Sequence, residues 1–160
     1  MTSISPTKAK FFLADDVRQE TNRKLTLVGL YPHDLIIIVS NGRNKPSSKT
    51  PAVLHFVIGC ILADGAGEFK PKALFTDPSG KKVFEGEVAR LRIFPGFGST
   101  LIMQVPQLVV SELGTYKVLL TVGTNSFAYE FQVVASAKMH LPDFDKLPKF
   151  RARPKRKGQK

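Results

Sequence analysis

The chain has 160 residues, 12 of them Phe and none Trp, with a single cysteine and a formal net charge of +11. That length is close to the common size of one domain and buries roughly 70% of its unfolded surface, so a core can form without staples. One cysteine excludes an internal disulfide, and a hydrophobic share of 42% lies far above disordered composition.

Residues 1–8 are polar, contain Pro6 and read as a flexible lead-in. They hold no apolar stretch behind a basic start, so no secretory signal is expected. Lys10 to Ala14 forms a first strand, followed by the charged run Asp15-Asp16-Val17-Arg18-Gln19-Glu20. Leu25 to Tyr31 is a second strand ending at Pro32, and the polar gap between the two runs suggests a hairpin. Leu35-Ile36-Ile37-Ile38-Val39 is five apolar residues in a row, the pattern of a strand buried on both faces or with one end in the core. Asn41-Gly42 and two prolines make Ser40 to Pro51 a loop.

Val53 to Ala63 is a fourth strand. It is too short and too interrupted by His55 to cross a bilayer, which takes about 20 residues. Cys60 lies in its apolar run and reads as a buried core thiol. Gly59 in the same run, and Gly86 later, mark bulges or a close approach to the backbone. Asp77-Pro78-Ser79-Gly80 joins Lys72 to Thr76 with Lys82 to Glu87 as a hairpin, since Pro presets the turn and Gly supplies positive φ. Arg90 to Phe94 and Thr100 to Val105 flank Pro95-Gly96-Phe97-Gly98, and Gln107 to Leu113 has room for one helical turn. Tyr116 to Val122 and the cleanly alternating Phe127 to Val133 close the series. Many short strands with turn signals every 8–12 residues predict an all-β antiparallel sandwich or small barrel over residues 9–136.

The apolar pattern stops after Ala137, so residues 137–160 read as an extended or disordered tail. Its end holds Lys149, Arg151, Arg153, Lys155, Arg156, Lys157 and Lys160 with no acid, while the other 148 residues carry seventeen basic against thirteen acidic groups. The partner signal therefore belongs to the tail. Those seven residues are the candidate nucleic-acid or polyanion site, because such arms bind phosphate backbones without reading sequence. An acidic protein surface is the other partner they suit.

No spacing points to catalysis. His33, His55 and His140 share no metal-ligand spacing, no serine sits in a nucleophile elbow, and Gly96 to Thr100 lacks the Lys and helix of a phosphate cradle. Asp15, Asp16, Arg18 and Glu20 form the densest charged cluster and read as a salt-bridge and capping set, with Asp15 and Asp16 on opposite faces. No catalytic, metal or cofactor residue is assigned, and a cytoplasmic, non-enzymatic protein is expected.

The run from Asp15 to Glu20, followed after a polar gap by Lys24-Leu25-Thr26-Leu27-Val28-Gly29-Leu30-Tyr31, resembles the opening of a bacterial family of unknown function. That family carries a D-D-V-R-x-E…G-K-x-S-L-x-G-x-Y signature; this chain has Arg23 in place of its Gly and Thr26 in place of its Ser. Gly114-Thr115-Tyr116 and Asp77-Pro78-Ser79-Gly80 are similar to features of immunoglobulin-like sandwiches. The resemblance covers about residues 9–136. It implies an immunoglobulin-like fold and no activity. Two roles then stand open. One is a binding or assembly module, with an unidentified protein partner for the sandwich and nucleic acid for the tail. The other is a structural subunit, of phage origin or part of a homo-oligomer, whose tail meets an acidic protein.

Overall fold

The computed structural model describes residues 3–21, 24–39 and 45–136. Within them the fold is all-β, with eleven strands and one short 3-10 turn. No helix among the described residues is long and apolar enough to cross a membrane.

A four-stranded sheet runs in the order β2 (Leu25–Leu30), β1 (Lys8–Gln19), β4 (Ala52–Ala63), β9 (Ser99–Val110), with every pairing antiparallel. A five-stranded sheet runs β3 (Leu35–Val39), β11 (Asn125–Ser136), β10 (Gly114–Val122), β6 (Lys72–Thr76), β7 (Lys82–Glu87). Its β3–β11 pair is parallel and the rest are antiparallel. A separate two-stranded ribbon joins β5 (Gly67–Phe69) to β8 (Leu91–Ile93).

One apolar cluster unites all three sheets. Leu13, Ile58, Leu62, Leu101 and Val110 come from the first, Leu120, Phe131 and Val133 from the second, and Phe69, Leu91 and Ile93 from the ribbon. Period-2 alternation does the sorting: β10 reads intermediate or exposed at every other residue, with Tyr116, Val118, Leu120 and Val122 all buried. Fully burying side chains of this size stabilises by roughly 1.5–3 kcal/mol each. Phe11 stacks on Tyr129 and Phe56 meets Phe131 edge-on, so aromatic rings from β1 and β4 reach those of β11. Cys60 is completely buried, and that burial pushes its thiol up to about 12.

Local chemistry explains the turns. Asp77 accepts from the Ser79 hydroxyl at 2.7 Å and the Lys81 amide at 2.8 Å, and Gly80 takes a φ of +83° to close the β6–β7 hairpin. Gly59 lies directly across from Phe12, whose ring covers it. This is the close approach its position in a strand suggested.

Several elements depart from the sequence reading. The first strand does not stop at Ala14; β1 continues through the charged run to Gln19, because those residues pair with β2. β3 is an edge strand with Ile37 46% and Val39 47% exposed, so its apolar run is not buried on both faces. Gln107 to Val110 is strand rather than a helical turn: β9 passes Pro106 where the β4–β9 register shifts, then resumes pairing at Leu108. Pro106 lacks an N–H, which an edge strand tolerates. Residues 3–7, read as a loose lead-in, make long-range contacts. Ile4 bridges Ala66, the Ser5 hydroxyl accepts from the Thr124 amide at 3.0 Å, and the Asn125 side chain donates to the Pro6 carbonyl at 2.8 Å.

Candidate functional site

The seven basic residues of the tail, Lys149 to Lys160, lie outside the described residues. The other residues singled out in the sequence are placed.

The charged run of β1 is divided among separate partners. Asp15 accepts from the Tyr31 hydroxyl, and its side chain fills the space over Gly29 that a Cβ would need. Burial, and then this carboxylate, push the Tyr31 hydroxyl up to about 12. Asp16 caps the Val17 amide at 2.8 Å and pairs with Arg18 at 3.2 Å, while Glu20 accepts from Thr26 at 2.9 Å. The cluster staples the β1–β2 hairpin. Among the described residues, no three His, Cys, Asp or Glu side chains stand together as a metal could use them. His55 is exposed, at the register shift of β4.

The sequence reading missed a surface on the β5–β8 ribbon. Phe69, Leu91 and Ile93 point into the core, so alternation sends Glu68, Lys70, Arg90, Arg92 and Phe94 outward. Glu68 stands opposite Arg92, with 3.8 Å between Oε1 and Nε. Lys70 and Arg90 follow at the next outward positions. Together these residues line a half-open recess of about 440 Å³. The Arg92 guanidinium sits 4.9 Å from the centre of the Phe94 ring, within cation–π range. Beyond β8, the Phe97 amide donates to the Phe94 carbonyl at 3.0 Å across Pro95 and Gly96. Gly96 has a φ of +75°, as the third residue of a type II turn requires. The turn leaves Phe94 55% and Phe97 71% exposed. The signal was present as Arg90-x-Arg92-x-Phe94. It is invisible to a charge count over the whole domain, which averages it away.

A second recess, of about 390 Å³, lies between the β6–β7 hairpin and β9. It is apolar, with Phe75, Phe84, Val83 and Met103 among its walls. Phe75 and Phe84 meet edge-on there at 6.0 Å. β7 and β9 are open edges of their sheets, so the recess runs between two rows of backbone groups without a sheet partner on that side.

No protein-family model and no curated protein matches this chain. Among solved structures it is similar to a beta-glucosidase from Listeria innocua, crystallised with isofagomine, at a TM-score of 0.36 and 13% identity. That likeness covers 80% of this chain and 16% of the glucosidase chain, so the chain spans about a sixth of its length. A likeness that low establishes neither fold family nor activity.

Proposed function

We propose that this protein is a non-enzymatic binding or assembly module, built on an immunoglobulin-like β-sandwich, whose basic tail binds nucleic acid without reading sequence. The observation that carries the proposal is charge segregation: seven cations and no acid fall in the last twelve residues, beside a nearly balanced remainder. Such a segment neutralises phosphates and releases counterions.

Topology supports the immunoglobulin-like reading. β4 pairs with β9 in one sheet as strands B and E do, and β6, β10 and β11 lie side by side in the other as C, F and G do. The Tyr116 hydroxyl donates back to the Glu112 carbonyl near the start of β10, as in the tyrosine corner of that fold. We also infer membership of the bacterial family of unknown function from the Asp15 to Tyr31 segment, and a cytoplasmic setting from the single cysteine, which suits a reducing compartment.

Binding to labelled duplex DNA, measured across a salt series, tests the tail. Full engagement of seven cations gives a log–log slope of roughly −6. Deleting residues 149–160 removes that salt-sensitive binding; unchanged binding would end the tail's role.

A second reading has its own observation. β2 is an edge strand with Leu25, Leu27, Val28 and Leu30 all exposed, and it carries no charge from Leu25 to Leu30. An uncharged apolar edge suits a structural subunit that assembles with copies of itself. In that case the tail meets an acidic protein surface. Sedimentation that finds only monomers at every concentration counts against it.

A further inference from the structure

We propose that the outward face of the β5–β8 ribbon binds single-stranded nucleic acid, with Lys70, Arg90 and Arg92 on the phosphates and Phe94 and Phe97 beneath the bases. The inference goes beyond the tail: it assigns a site in the folded domain and stands whether or not the tail binds anything.

Arg90, Arg92 and Phe94 occupy every second position of one extended segment, so their side chains leave the same face at intervals of about 6.6 Å. That interval is comparable to the reach of one nucleotide in an extended strand. Lys70, the residue after β5, lines the recess with Arg90 and Arg92, and Glu68 is the one acid among the described residues that line it, so cations outnumber it three to one. Glu68 holds Arg92 only loosely, at 3.8 Å, and the guanidinium also rests against the Phe94 ring.

Apolar side chains of this size are normally drawn into a core, yet Phe94 and Phe97 stand at the first and last positions of one hydrogen-bonded turn, 55% and 71% exposed. A β-turn keeps those two Cα atoms within about 7 Å. Exposed aromatic rings beside a cationic track are what a single strand requires, because each of its bases offers an unstacked π-face. A duplex hides those faces and has no use for the rings. An anionic bilayer would accept cations and Phe97, but it is flat, and the cations here line a recess of about 440 Å³ that a bilayer cannot enter and a nucleotide can.

The test uses the full-length chain and fluorescence anisotropy with a labelled oligothymidylate about 15 nucleotides long. A duplex of the same length and phosphatidylserine vesicles serve as competitors. One variant replaces all seven tail cations with Gln, leaving the length of the chain unchanged. In that background the single strand remains bound and duplex and vesicles compete poorly. Adding Phe94→Ser with Phe97→Ser lowers affinity at least tenfold, the loss expected for one stacked base. Adding Arg90→Gln with Arg92→Gln makes the salt dependence shallower by about 1.4 in log–log slope, at 0.7 per phosphate on a single strand. All four side chains are exposed, and an unchanged circular dichroism spectrum and melting temperature exclude misfolding as the cause. Loss of all single-strand binding when the tail alone is neutralised overturns the proposal and leaves the tail's role intact. Equal competition by the duplex, displacement by vesicles, or indifference to both pairs of substitutions also overturns it.

Discussion

The hydroxyl of Tyr116 donates a hydrogen bond to the carbonyl oxygen of Glu112, 2.9 Å away and four residues earlier in the chain. Tyr116 is 2% exposed, at the centre of the core, and its ring stacks on Phe131. One side chain thus ties the connection leading out of β9 to the middle of the second sheet. Tyr116→Phe keeps the ring and removes the bond, leaving a carbonyl without its partner. The expected cost is about 1 kcal/mol. Urea unfolding shows it as a lower midpoint with an unchanged slope, since the surface exposed on unfolding is the same.

Alkaline pH attacks the same core. Burial pushes the Tyr116 hydroxyl up to about 12, with the nearby Asp77 and Glu112 charges adding to it. Tyr129 is raised further, by burial and then by its bond to Asp34. A tyrosine whose pKa is raised in the folded state keeps its proton there while the unfolded chain loses it. The stability this represents is complete below about pH 10, the unfolded value, and is lost as pH climbs toward the folded value near 12. Cys60, raised by burial from 9 to about 12, opens the window lower, from pH 9. Each group removes roughly 1 kcal/mol per pH unit inside its window. Melting temperatures between pH 7 and 11.5 should hold level to about pH 9 and then fall with increasing steepness. A flat profile would contradict the burial of these groups.

Gly59 and Phe12 form a cross-strand pair in which the ring occupies the space a side chain would need. A Cβ at position 59 would meet the Phe12 Cζ at 1.8 Å, so the ring must leave its place. Gly59→Ala is expected to destabilise by about 1 kcal/mol, because the half-buried ring must swing off the strand and give up its contact there. Phe12→Leu, introduced with it, should restore part of the loss, because the two changes share one space. Double-mutant analysis of denaturation midpoints measures that coupling; strict additivity would refute the overlap.

The strands that alternate cleanly were legible in the sequence, and for a physical reason. In β10 and β11 one face meets the core and the other meets water, so composition records orientation directly. The Asp77 to Gly80 turn was equally legible, because its chemistry is local. β3 was not: Leu35 to Val39 looks the same whether it is covered on both faces or lies at an edge, and only its partner β11 decides. β1 was cut short for a related reason. Asp15, Asp16 and Arg18 look like a turn, yet β2 supplies the pairing that holds them extended. The basic face of the ribbon needed tertiary knowledge of another kind. Lys70 and Arg90 are twenty residues apart in sequence, and only the pairing of β5 with β8 makes them neighbours.

That pairing logic yields a last prediction, at β2. The Glu20 amide donates to the Lys24 carbonyl, which fixes the phase of the β1–β2 ladder. Antiparallel alternation then turns the backbone groups of Leu25 and Leu27 away from β1, toward the open edge. Two copies related by a twofold axis through Thr26 would place Leu25 opposite Leu27 of the other copy in both directions, so both pairs present hydrogen-bonding groups to each other. No charge stands within Leu25–Leu30 to oppose the contact. Natural edges commonly block such pairing with a lysine. Leu27→Lys supplies one at a position already 40% exposed, where the expected change in monomer stability is within about 0.5 kcal/mol. Sedimentation velocity over a concentration series should show a shift from self-association toward monomer in the variant, with the melting temperature of the dilute protein unchanged. Equal association by both proteins would place the contact elsewhere, and the other uncharged edges among the described strands, β3 and β9, would be the next to carry the lysine.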